Sequence, residues 1–134
     1  KEYRLVNYIS DKATIDRSVE IGCNNVVLQS AQIEPFAKLG DNNIVWSSVN
    51  ICHNAVISGH SFLACRSIVG GFATIHHNCF LGFGAIVLQN VRIAHECLIG
   101  ASALVKNDTD PYGVYLGVPA IRIKEHKEDG VCVK

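Results

Sequence analysis

Histidine and cysteine have the widest chemical range of the residues in this chain, and several of them gather in one stretch. Cys52, His53, His60 and Cys65 lie between Val49 and Gly71, in VNICHNAVISGHSFLACRSIVGG. An imidazole can serve as a general base or a metal ligand, and a thiolate as a nucleophile. The spacing fits neither a zinc-finger pattern nor a helical stripe. Which chemistry these groups can do depends on the elements that carry them.

Those elements show as a repeat. Aliphatic residues recur every six positions, at Ile9, Ile15, Ile21, Val27, Ile33, Leu39, Val45, Ile51, Ile57, Leu63, Val69, Ile75, Leu81, Val87, Ile93, Ile99 and Val105. Mostly small or modest residues precede them by two, among them Ala31, Ala37, Ala55, Ala73, Ala85 and Ala103. A helix would need spacings of three and four. A period of six fits short strands joined by turns, three to a coil, wound into a triangular prism of parallel strands. The expected fold is therefore all-β, with 18 residues per coil and equivalent positions stacked about 4.8 Å apart. Gly22, Gly40, Gly70, Gly82 and Gly100, just after inward aliphatics, are expected to serve the turns.

In that frame His53 stacks above Pro35 and below Gly71 and Gln89, at a corner of the prism. With no side chain at Gly71, an open notch is expected above the imidazole. A corner histidine is either a solvated surface group or, beside an approachable backbone N–H, a general base next to an oxyanion site, the pairing acyl transfer needs. His77 and His95 also stack on one corner, where two ligands are too few for a stable metal site and solvated side chains are expected. Cys79 and Cys97 stack at the small inward position and read as small hydrophobes. Trp46 reads as a stacking surface for a substrate ring or for a neighbouring subunit.

Twelve Lys and Arg balance twelve Asp and Glu, so no global field would hold nucleic acid or a membrane surface. No apolar run reaches the length of a membrane span, and no export signal is evident. The six cysteines, Cys23, Cys52, Cys65, Cys79, Cys97 and Cys132, form no C-x-x-C pair. They are expected to be reduced thiols of a cytoplasmic protein.

The repeat resembles the hexapeptide-repeat acyltransferases over residues 9 to about 124, and that resemblance implies a left-handed parallel β-helix. Local landmarks NICH53N, IVG70G71, N78CFLGFG, I99GASALVKN107 and G113VYLGVPA120 resemble the sialic-acid O-acetyltransferase and the bacillosamine and perosamine N-acetyltransferase group. The resemblance implies a homotrimer that uses acetyl-coenzyme A as acyl donor, without a metal, on a small sugar acceptor. It implies His53 as general base and the Gly71 N–H near the thioester carbonyl. Phe83, Ala101, Lys106 and Pro119 would line the cofactor groove between two prisms, with Arg122 or Lys124 near its phosphates. Asn54 stands where relatives carry an acidic residue or a second histidine, and Phe62 where bacillosamine-type enzymes carry another histidine. Asn54 and His60 are the candidates for the acceptor side.

The expected reaction is acetylation of an amino group on a nucleotide-linked sugar, with sugar O-acetylation as the nearest alternative. More distant are a metal-dependent enzyme like the γ-type carbonic anhydrases and a non-catalytic trimeric scaffold. Residues 1–110 are expected to form the β-helix and 111–134 a capping segment with a charged tail. The opening KEYRLVNYIS resembles the junction to an N-terminal acceptor-binding domain.

Overall fold

The structure, a computed structural model, describes residues 2–126. It is a left-handed parallel β-helix of short strands on three faces. Sheet A contains Tyr8–Ile9, Val26–Val27, Ile44–Val45, Phe62–Leu63, Phe80–Leu81, Leu98–Ile99, Gly113–Leu116 and Ile121–Glu125. Sheet B contains Thr14–Ile15, Gln32–Ile33, Asn50–Ile51, Ile68–Val69, Ile86–Val87 and Leu104–Val105. Sheet C contains Glu20–Ile21, Lys38–Asp41, Val56–Gly59, Thr74–Ile75 and Arg92–Ile93. The 18-residue register holds in pairs such as Ile33 with Ile51 and Val69 with Val87.

Hydrophobic burial along this register makes the core. Leu63, Leu81 and Ile99 in sheet A, Ile51, Val69 and Val87 in sheet B, and Ile57, Ile75 and Ile93 in sheet C are fully buried. Each such side chain contributes about 1.5–3 kcal/mol. Ile9 departs from the expected ladder and is 42% exposed, because no coil lies beneath it among the described residues. The small inward positions ahead of sheets B and C hold mainly alanine. Ahead of sheet A they hold a polar column at Asn7, Asn25, Asn43, Ser61, Cys79 and Cys97. There Asn25 N–H donates to Asn7 Oδ1 (2.8 Å), Asn43 N–H to Asn25 Oδ1 (2.8 Å), Ser61 N–H to Asn43 Oδ1 (3.0 Å) and Cys79 N–H to Ser61 Oγ (3.0 Å). Side chains thus satisfy backbone donors that the corner leaves unpaired.

The corners overturn the expected role of glycine. Left-handed φ recurs every six residues at Asn24, Ser30, Phe36, Asn42, Ser48, Asn54, His60, Arg66, Phe72 and Asn78, and Gly84 is the one glycine in that series. In the second half of the turn, an N–H donates to the coil before, as Phe72 N–H does to His53 O at 3.1 Å. These bonds offset a conformation that costs an L-residue about 1–2 kcal/mol. Gly70 and Gly82 have ordinary φ and serve instead for close approach of the next coil. A Cβ on either would lie 2.6 Å from a backbone nitrogen, of Gln89 and Ala101 respectively.

At the C-terminal end the period breaks, and Ile99 pairs with Tyr115 rather than with a residue eighteen further on. The intervening turn covers the open edge of sheet C, where Asp108 Oδ1 accepts from Arg92 N–H (2.8 Å) and Thr109 Oγ1 from Ala94 N–H (2.9 Å). The last strand, Ile121–Glu125, runs antiparallel beside Gly113–Leu116 and extends sheet A. Cys132 and the end of the expected charged tail, from residue 127 on, lie outside the described residues.

Candidate functional site

His53 occupies the first central position of the turn Cys52–Ala55, which joins sheet B to sheet C and is closed by Ala55 N–H to Cys52 O at 3.2 Å. Gly71 holds the same position one coil later, in the turn closed by Ala73 N–H to Gly70 O at 3.1 Å. The backbone of the histidine is engaged on both sides. Its carbonyl accepts from Phe72, and its N–H donates to Glu34 Oε2 at 2.9 Å.

The space over Gly71 is not an open notch, as expected, but is filled by the imidazole. A Cβ on Gly71 would lie 2.9 Å from both Nε2 and Cε1 of His53 and 3.4 Å from Nδ1. Only glycine lets the ring lie against the backbone in this way. Phe72 meets the ring edge to face, with centroids 5.3 Å apart. On the other edge, Nδ1 stands 3.3 Å from Asn54 Oδ1. A carbonyl oxygen can only accept, so a hydrogen bond here requires the tautomer protonated on Nδ1, in which Nε2, the nitrogen facing Gly71, carries the free lone pair. Among the described residues Gly71 N–H has no acceptor and is available to a ligand.

Glu34 had no signal in the sequence, since its link to His53 combines the coil offset with the reach of its own side chain. Beside it, Cys52 is half-buried, and burial, followed by the negative charge of Glu34, raises its thiol pKa. Cys79 is pushed up to about 12, chiefly by burial. Its Sγ, like that of Cys97, donates to a carbonyl at 3.1 Å, from Ala94 and Asp110 respectively. These two inward cysteines are hydrogen-bonded packing groups in the neutral form.

The remaining candidates fall elsewhere on the prism. Phe83 and Ala101 are exposed and stacked at the corner between sheets A and B, where Ser102 N–H donates to Phe83 O at 2.8 Å. A groove lined by Ser47, Cys65, Arg66, Phe83, Gly84 and Ser102 runs along that corner. Sheet B separates it from the His53 corner within one chain. The segment holding Pro119 is bound to the end of sheet B two residues before Lys106, where Leu104 N–H donates to Gly117 O (3.0 Å) and Ala120 N–H to Leu104 O (2.8 Å). His60 lies at the third corner, near Asn42 Nδ2 (3.4 Å) and His77 (ring centroids 6.3 Å), and is not brought to His53. His95 packs on Tyr112 rather than on His77.

Arg122, expected near the cofactor phosphates, pairs its guanidinium with Glu125 at 3.2 Å and Asp110 at 3.8 Å. Lys124 makes no ion pair among the described residues. Trp46 stacks on Phe62 and Phe62 on Phe80, so position 62 is part of an aromatic column on sheet A. Among the described residues no three His, Cys, Asp or Glu side chains converge as a metal site, and no helix is long and apolar enough to cross a membrane.

No protein-family model matches the sequence, and no curated protein does. Solved structures do match. GDP-perosamine N-acetyltransferase from Caulobacter crescentus, in complex with CoA and GDP-perosamine, superposes with a TM-score of 0.88 at 28% identity over 90% of this chain and 58% of that one. The acetyltransferase domain of PglB from Neisseria gonorrhoeae, in complex with acetyl coenzyme A, gives 0.88 at 23% identity over 90% of this chain and 59% of that one. AntD, an N-acyltransferase from Bacillus cereus bound to dTDP and 3-hydroxybutyryl-CoA, gives 0.85 at 20% identity over 90% and 80%. The last two likenesses concern the fold alone. This chain spans less than two thirds of the perosamine and PglB structures it resembles.

Proposed function

We propose that this chain is the catalytic β-helix of an acetyltransferase that moves acetyl from acetyl-coenzyme A to an amino group of a nucleotide-linked sugar. The observation that carries the reading is the apposition of His53 Nε2 to Gly71, whose N–H is unoccupied among the described residues. The likeness to a perosamine N-acetyltransferase bound to CoA and GDP-perosamine supports the choice of donor and acceptor class.

In this mechanism the amine nitrogen attacks the thioester carbonyl held at the Gly71 N–H, beside the imidazole, and His53 Nε2 takes a proton from that nitrogen as the C–N bond forms. Asn54 Oδ1 keeps the Nδ1 proton in place and so fixes the tautomer. Gly71 N–H stabilises the oxyanion, the C–S bond breaks, and coenzyme A leaves as its thiolate. No covalent enzyme intermediate is involved.

The donor lies in the groove between two prisms of a homotrimer. That arrangement lets His53 and Gly71 of one copy share a ligand with Phe83 and Ala101 of another, which one prism cannot do across the width of sheet B. Lys106 and Pro119 then flank the far end of the cofactor.

Isothermal titration of acetyl-coenzyme A, with solution mass measured on the same sample, tests the reading. One micromolar site per chain in a trimer is expected. Acetyl transfer to GDP-perosamine should then be lost in His53→Ala. A folded protein that binds no acetyl-coenzyme A overturns the assignment.

A further inference from the structure

We propose that Glu34 is a positioning residue for His53, a carboxylate from the preceding coil that fixes the corner on which the base stands. The inference rests on the acetyltransferase reading for its catalytic consequence, but not for its structural one.

In the corner column Arg17, Pro35, His53, Gly71 and Gln89, proline has no N–H to donate, and of the other four only His53 has a protein acceptor for its N–H among the described residues. At such an exposed corner an N–H would ordinarily bond to water. Here Glu34 Oε2 accepts it at 2.9 Å, a charge-assisted bond across 19 residues of sequence. Glu34 makes no ion pair with any described Lys, Arg or His, and this is the one hydrogen bond of its side chain among the described residues. A long, half-buried side chain is thus ordered for one purpose, against the loss of its rotamer freedom.

The position of the base explains why that purpose matters. The imidazole lies in contact with Gly71 and is oriented by the neutral side chain of Asn54, which sits at φ 58° in the same turn. A small rotation of the Cys52–Ala55 turn would carry Nε2 off Gly71. With His53 O held by Phe72 and His53 N–H held by Glu34, the turn is fixed to the coil on either side. A misplacement of about 1 Å in such a site lowers a rate by about a hundredfold.

Two variants separate positioning from charge. Glu34→Gln keeps an oxygen that can accept the N–H, and Glu34→Ala does not. By amide hydrogen exchange, His53 N–H should exchange about tenfold faster in Glu34→Ala and near the wild-type rate in Glu34→Gln. In turnover, kcat should fall about tenfold in Glu34→Ala with the KM for acetyl-coenzyme A unchanged, and should be largely restored in Glu34→Gln. Unchanged His53 exchange in Glu34→Ala, or equal loss of kcat in both variants, overturns the proposal. Should the wild-type protein transfer no acetyl group, the functional reading falls while the exchange result still decides whether Glu34 holds the corner.

Discussion

His53 and Gly71 form a fitted pair: the imidazole occupies the volume that any side chain at position 71 would need, 2.9 Å from the place of its Cβ. Gly71 lies outside the left-handed region, so its backbone would accept alanine without strain. The clash of Gly71→Ala is therefore with the ring alone. Stability and coil geometry are expected to stay near wild type, while kcat falls about a hundredfold as the base is pushed aside. Thermal unfolding and steady-state kinetics on the same preparation check this. A Gly71→Ala enzyme with full activity would show that His53 does not act from this position.

Asn54 offers a test of tautomer control. Its φ of 58° makes glycine, not alanine, the clean replacement, since Asn54→Ala would add backbone strain to the loss of the amide. Asn54→Gly is expected to lower kcat by about tenfold without loss of stability, because Nδ1 loses its acceptor and the wrong tautomer becomes populated. Long-range proton–nitrogen NMR of the His53 ring reads the tautomer directly. A ring that stays protonated on Nδ1 in Asn54→Gly would remove the orienting role from Asn54.

Much of the architecture was legible because hydrophobic burial repeats without a break. One inward aliphatic every six residues names the sheets, and counting in eighteens names the vertical neighbours, including His53 and Gly71. The corners were less legible. A left-handed φ at Phe36, Phe72 or Arg66 has no composition signal, because the hydrogen bonds between coils impose it. The glycines were misread for the same reason, since close approach of a coil to Gly70 or Gly82 leaves no mark distinct from a turn. The contact of Glu34 with His53 was hidden because its nineteen-residue separation is one coil plus one position, bridged by a flexible side chain.

Gly82 tests that revised role of glycine. A Cβ there would meet Ala101 N at 2.6 Å, and backbone cannot rotate away as the His53 ring can. Gly82→Ala is expected to destabilise the fold by about 1–3 kcal/mol through overpacking between coils. Urea unfolding measures the loss directly. Because Phe83 and Ala101 border the same contact, acetyl-coenzyme A affinity should weaken in parallel, and a variant as stable as wild type would contradict the close-approach account.

Cys79 links the core to alkaline stability. Burial raises its thiol from 9.0 to about 12 in the native protein. The unfolded chain, with the lower pKa, loses the proton first as pH rises. Above about pH 9 the native state therefore holds more protons than the unfolded one, and stability falls with rising pH by up to about 1.4 kcal/mol per unit for this group, levelling near pH 12. Cys79→Ala removes both the titration and the Sγ bond to Ala94 O. It should be less stable than wild type at pH 8 yet lose stability less steeply between pH 9 and 11. Cys97, whose thiol is also raised chiefly by burial, titrates in the same direction and remains in both proteins, so the difference in slope isolates Cys79. Urea unfolding of the pair across that range decides it, and parallel pH profiles would show that Cys79 does not titrate on unfolding.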